Sequence, residues 1–297
     1  MSMSGSVPPT AAAPTPVASA SGAPGGLNAP RVGPLPSGYV YYVARYADVV
    51  LQTVFPDRFA EIIDTLDGYH PSLDELRKGG GGRTVFVKRF DDTLAAHHTG
   101  TSHPWGKRKI ELSSLIDGKI RYSVRGHEID MFGVGPLDDP YPGVAVEMEW
   151  NNKDPFFDRD LVNFQALHRE GAIAIGVIVT RGPNLQRLLA PTVRSKDGGL
   201  KYGQSTTHWD KLIPRVHLGG GGECPLLLVG IEPDRIDGID LLRQAAAKLA
   251  QASDLKENWR AKGYKRFSEV APDIEKLKNE ALELVPPVAD GPVEDDA

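Results

Sequence analysis

Apolar residues recur along this chain at two spacings, and the changes between them mark where elements begin and end. In "YADVVLQTVF" and "RFAEIIDTLDGY" they fall at helical intervals with Pro56 between, which predicts two N-terminal helices. "RTVFVKRF" alternates as a half-buried strand does, "KRKIELSSLI" predicts a short helix, and "KIRYSVRGHEIDMFGVG" predicts a strand. The turn formers of "PLDDPYPG" separate that strand from another, "VAVEMEW". Asp158 and Asp160 precede "LVNFQALHRE", whose Leu161, Phe164 and Leu167 share one helical face, and Gly171 closes the helix. "AIAIGVIVT" is continuously apolar, as expected of a strand covered on both faces. Strand, helix and buried strand make a β-α-β unit, so these two strands should be parallel with a right-handed crossover.

Beyond that unit, "NLQRLLA" predicts a helix, "CPLLLVGI" a buried strand, and "IDLLRQAAAKLAQASDLKENWRAKG" one or two C-terminal helices. Between the first two lies "SKDGGLKYGQSTTHWDKLIPRVHLGGGG", polar, Gly-rich and long for a connection; such loops are usually functional or mobile. The expected class is α/β, a mixed central β-sheet flanked by helices. No internal repeat is visible.

Composition divides the chain. Residues 1–37 are Ala, Pro, Ser and Gly with Arg31 as the one charge, a disordered leader. Residues 285–297 read as an acidic disordered tail, leaving 38–284 as a single folded domain. The net charge of −5 is uneven: residues 268–297 hold nine acids against Lys276 and Lys278, so the middle is about +1. Local basic clusters stand at Arg83/Lys88/Arg89, Lys107–Arg108–Lys109 and Arg260/Lys262/Lys265/Arg266, each an ordinary solvated face unless its neighbours say otherwise. With no long apolar run, no leader of secretory type and a single cysteine, Cys224, the setting expected is cytoplasmic. Neither GGGG run continues into Gly-Lys-Ser/Thr at a helix start, which argues against a phosphate loop.

The chemistry lies in "VAVEMEW". Glu147 and Glu149 share one strand face because side chains alternate with period two. If the preceding turn is centred near Asp138–Asp139, facing residues have numbers summing to about 277, which sets Asp130 opposite Glu147. Opposed Cβ atoms lie roughly 4.5–5.5 Å apart, and like charges there repel. Three crowded carboxylates require a raised pKa or a cation, and oxygen-only ligands suit Mg²⁺. The bland alternative is a half-exposed hairpin with acids facing solvent; apolar neighbours and the β-α-β unit that follows favour a metal-dependent phosphodiesterase.

An aspartate, a turn, then Glu-x-Glu on the next strand, backed by a helix and a parallel strand, resembles the nuclease core of the PD-(D/E)xK superfamily. More narrowly, "EMEWNNKDPFFDRDLVNFQALHREGAIAIGVIVTRG", "KYGQSTTHWDKLIPR" and "GGGGECPLLLVGI" are similar to BglII/BamHI-type restriction endonucleases, over residues 40–250 and most strongly over 128–232. The resemblance implies that Asp130, Glu147 and Glu149 are the catalytic carboxylates, with Asp130 and Glu147 on Mg²⁺. Glu149 stands where the superfamily usually has lysine; BamHI-type enzymes carry glutamate there and BglII-type enzymes glutamine. A further ligand comes from the preceding helix in such enzymes, and Glu111 is the candidate.

For DNA contact the resemblance points to Asn152, able to bond bidentately to adenine, with helix capping as its other reading. It also points to Lys153, and to the "STTHWDK" block with Thr206, Thr207 and Lys211. His208 reads as a hydrogen-bonded structural group rather than a base or ligand, as do His127, His168 and the His97–His98 pair. The implied partners are double-stranded DNA, a second copy in a homodimer, and a companion DNA methyltransferase acting on the same site. Two rival readings remain: a structure-specific Mg²⁺-dependent repair nuclease with the same core, and a DNA-binding protein that no longer cleaves.

Overall fold

The computed structural model describes residues 28–78, 84–98, 103–136 and 139–287, without the side chains of residue 114 and residues 122–127. The GGGG run at 79–82, Arg83, and most of the leader and tail expected from composition lie outside the described residues.

Near the N-terminus, strand β1 (Tyr39–Ala44) leads into helices α1 (Ala47–Val54), α2 (Pro56–Gly68), α3 (Leu73–Arg77) and α4 (Val85–Ala96). Pro56 starts α2 at its first position, where a missing N–H costs nothing. A long hairpin follows, β2 (Trp105–Ile116) and β3 (Lys119–Gly133), then β4 (Gly143–Met148), α5 (Phe156–Arg169), β5 (Ile173–Arg181) and α6 (Pro183–Thr192). The chain ends with α7 (Trp209–His217), β6 (Leu226–Ile231) and the long helices α8 (Ile239–Asn258) and α9 (Phe267–Leu284).

The six strands form one mixed sheet in the order β1-β6-β5-β4-β3-β2. The central β4, β5 and β6 are parallel, whereas β1, β3 and β2 join antiparallel. The α/β expectation holds, as does the parallel pairing of "VAVEMEW" with "AIAIGVIVT" across α5. Alternation along β4 assigns its two faces. Val144, Val146 and Met148 enter the larger core, beneath α1–α4, α6, α8 and α9, and Ala145 enters a second core beneath α5 and α7. Glu147 and Glu149, odd-numbered like Ala145, therefore lie on the α5 side.

That helix sits close to the sheet for a local reason. Gly176 on β5 has no side chain, and a Cβ there would come within 2.3 Å of the Phe164 ring. At the other end of α5, Gly171 (φ 72°) closes the helix as expected.

Two expected elements are corrected. "RTVFVKRF" is the start of helix α4: Phe86, Phe90 and Leu94 recur at four-residue intervals and are all buried. "KRKIELSSLI" is strand β2: it pairs along β3 through a turn at Asp117–Gly118, both in the left-handed region (φ 52° and 72°). Glu111 thus stands on a strand. The long polar stretch after α6 contains α7, and β1 was not anticipated from the sequence.

Both ends of the described chain are tied to the body. Val43 N–H donates to the Asn28 carbonyl, Asn28 Nδ2 donates back to the Val43 carbonyl, and the Asp48 carboxylate accepts from the backbone of Arg31 and Val32. The Arg77 guanidinium donates to the Pro286 carbonyl.

Candidate active site

The β3–β4 register sets the acids. Met131 faces Val146, Phe132 faces Ala145 and Gly133 faces Val144, each pair summing to 277 as the hairpin reading required. The next step brings Asp130 to Glu147, and the Asp130 N–H donates to Glu147 Oε1 at 3.2 Å. Glu149 lies one residue past β4, its N–H still on the ladder through the Val179 carbonyl at 3.0 Å. Parallel pairing with β5 thus extends the sheet far enough to fix both glutamates.

A fourth acid joins them. Asp160 projects from the first turns of α5, where its helical position turns it under the sheet toward Glu149. Glu147, Glu149 and Asp160 are 6%, 3% and 2% exposed, deep enough that each carboxylate needs a partner. Arg159 supplies one: Nε donates to Asp160 Oδ1 at 2.8 Å, and Nη2 reaches Glu149 Oε1 at 3.2 Å. Asn152 Nδ2 donates to Glu149 Oε2 at 2.6 Å. Asp160 Oδ2 receives no donor from the described residues.

These surroundings shift the acids upward. Burial pushes Glu147 well above the ordinary carboxylate range, and the charges of Asp130 and Asp160 add to it. Burial and the neighbouring Asp160 raise Glu149 to about 8, and Asp160 is raised as well, chiefly by burial. Burial and mutual repulsion both oppose holding all of these carboxylates charged at once. In donor chemistry the group fits a hard divalent cation, whose oxygen ligands would be carboxylates such as Asp130 and Glu147. As the side chains stand, no three acids converge on one point among the described residues, and Glu149 is held by Asn152 and Arg159.

The chain belongs to the BglII/BglIII restriction endonuclease family. The family's sequence model matches residues 39–231, about two thirds of the chain and every strand of the sheet. No curated protein matches it. Restriction endonucleases cleave double-stranded DNA at defined sites, and family membership supports that activity here. Among the described residues no helix is long and apolar enough to cross a membrane.

Within this BglII/BglIII-family site, the residues singled out from the sequence fall into three groups. Asp130, Glu147, Glu149 and Asn152 come together at the end of β4. Lys153, Thr206, Thr207 and Lys211 gather beside them, because the chain leaving β4 pairs with the "STTHWDK" loop. Lys153 bridges Thr206, Thr207 N–H donates to the Asn152 carbonyl at 2.8 Å, and Lys211 Nζ stands 3.8 Å from Asp154. Thr207 is nevertheless fully buried, and Thr206 spends its hydroxyl on the Gly203 carbonyl, so both hold the loop together.

Glu111 is apart: exposed on β2 and paired with Lys109 at 2.8 Å, it lies roughly 13 Å along the strand from the position facing Asp130. Asp160 was legible only as a residue at a helix start. The available signal was a further acid one turn into the helix that crosses over from a Glu-x-Glu strand.

His208 is buried before α7, and burial lowers its ring to about 4, with Arg181 and Lys211 adding repulsion. It is a neutral imidazole, not a base poised near neutrality, and its Nδ1 finds no hydrogen-bond partner among the described residues. The His168 ring lies against the Ile173 carbonyl and His97 against Thr65, both structural positions.

Proposed function

We propose that the protein is a type II restriction endonuclease that hydrolyses phosphodiester bonds of double-stranded DNA at a short palindromic site with Mg²⁺. The observation that carries this reading is the crowding of Asp130, Glu147, Glu149 and Asp160 at the end of β4, where burial and mutual repulsion push Glu147, Glu149 and Asp160 above the ordinary carboxylate range. Such a group with the core order strand, turn, Glu-x-Glu strand, helix and parallel strand supports a PD-(D/E)xK nuclease site.

Asp130 and Glu147 would hold the Mg²⁺. When bound, it would supply polarisation of the scissile phosphate and a lowered pKa for the attacking water. Glu149, raised to about 8, is matched to accepting a proton near neutral pH. Asn152 holds Glu149 Oε2 while leaving part of its amide for a base edge, and Lys153, exposed beside it, is placed for a phosphate. A palindrome offers two equivalent strands, so the active form is a homodimer with one site per copy. Host DNA then requires a companion methyltransferase that modifies the same site, and the protein works in the cytoplasm.

Phage DNA incubated with the purified protein and Mg²⁺ tests the reading: discrete fragments are expected. Asp130→Ala and Glu147→Ala should each abolish cutting while a gel-shift assay shows DNA binding retained. Cutting that survives in either variant, or a smear without defined ends, defeats the proposal.

A further inference from the structure

We propose that Arg181 is a positioning residue for sequence reading: it locks the 203–207 loop onto the segment leaving β4, so that DNA contacts and catalytic acids keep one register. The inference rests on the site-specific cleavage argued above. Arg181 is the last residue of β5 and among the largest fully buried side chains of the molecule. Among the described residues no carboxylate pairs with it. Its Nε and Nη2 donate to the Thr207 carbonyl at 3.2 and 2.6 Å, and Nη2 also donates to Thr206 Oγ1 at 2.6 Å. The guanidinium lies 4.6 Å from the centre of the Tyr202 ring and 5.8 Å from that of Trp150.

What Arg181 holds is the seam between two functional segments. Thr207 N–H bonds to the Asn152 carbonyl, and Asp154 N–H bonds to the Ser205 carbonyl at 3.0 Å. Asn152 in turn holds Glu149. A continuous chain of contacts therefore runs from the end of β5, through the loop, to the carboxylate proposed to manage the water.

Burying a guanidinium without a counter-charge is costly, and here Nη1 finds no acceptor. An apolar side chain would fill the same space at lower cost, so packing alone does not account for arginine there. The donors and their direction do.

A second buried arginine makes the control. Arg235 also bonds backbone carbonyls, those of Leu66 and Asp67, and lies over the Tyr39 ring, touching neither the β4 exit nor the loop. The experiment uses the full-length protein. Wild-type fragment ends first define the site; duplexes carrying it, or a single base change in it, are then cut by wild type, Arg181→Met, Arg181→Lys, Arg235→Met, Thr206→Val and Thr206→Ser. The readouts are the ratio of cleavage rates on intact and altered sites, and the melting temperature.

Arg181→Met should lower the ratio by about tenfold or more, the scale of one well-read base pair, with partial recovery in Arg181→Lys. Arg235→Met should lower the melting temperature with the ratio unchanged. An unchanged ratio in Arg181→Met, or an equal fall in Arg235→Met, overturns the inference. Should Arg181→Met fail to fold, Thr206→Val and Thr206→Ser decide, because valine removes the hydroxyl that accepts from Nη2 and donates to the Gly203 carbonyl while serine keeps it: a ratio lowered in Thr206→Val and restored in Thr206→Ser supports the coupling, and an unchanged ratio in Thr206→Val, or one lowered equally in both, defeats it. If the wild type itself yields no discrete fragments, the endonuclease reading fails first and takes this inference with it.

Discussion

Glu149 is held between partners of opposite purpose. Asn152 and Arg159 favour its charged form, while burial and Asp160 disfavour it, and the balance leaves a carboxyl that titrates near 8. The two strand glutamates and their cross-strand aspartate were legible because the period of two and the sum of residue numbers are local properties. Asp160 was not, since its arrival under the sheet depends on where α5 crosses and how it is rotated. His208 provides a separate test at this scale. Its ring sits at about 4 in the folded protein against an ordinary 6.5. Between those values the unfolded chain takes up a proton that the folded one refuses, so stability is fully present above about 6.5 and declines as pH falls toward 4. Thermal melts from pH 7 to pH 4 should show that decline, and His208→Gln should flatten it; an identical acid slope in the variant would reject the buried-neutral assignment.

At the scale of elements, β4, α5 and β5 were readable in kind and order, with Gly171 marking the helix end, but α5 begins at Phe156, five residues before the expected start, and so takes in Asp158 and Asp160. Errors arose where two periods coexist. Val85 and Val87 alternate like a strand, yet Phe86, Phe90 and Leu94 recur like a helix, and only the longer window separates them. In β2 the neighbours are polar on both sides, and the decisive signal was the Asp117–Gly118 pair, a hairpin turn marker two residues long. The α5–β5 contact yields its own prediction. A methyl group added at Gly176 meets the Phe164 ring with no room to spare, so Gly176→Ala should cost about 1–3 kcal/mol through overpacking. Denaturant unfolding checks it: the midpoint should drop with the slope unchanged, and a midpoint equal to wild type would mean that the helix moves freely on the sheet.

Across the whole molecule, the family match ends at Ile231 but the fold does not. Ile239, Leu242 and Ala245 of α8, with Ala281 of α9 and Val285 just beyond it, are buried in the main core. A chain stopped at Ile231 should therefore lose solubility and cooperative melting; a soluble truncation with a sharp transition would show that the two helices are an appendage. The sheet order carries a consequence for how the protein is made. Tyr39 pairs with Ile231, so the first of the six strands to leave the ribosome waits for the last before it has a partner. At about 5–20 residues per second, the "YVYYVA" segment spends on the order of ten seconds or more as an unpaired, aromatic edge. Synthesis is therefore an interval in which this enzyme presents an aggregation-prone strand, and a holdase engaging the nascent N-terminus would act in it.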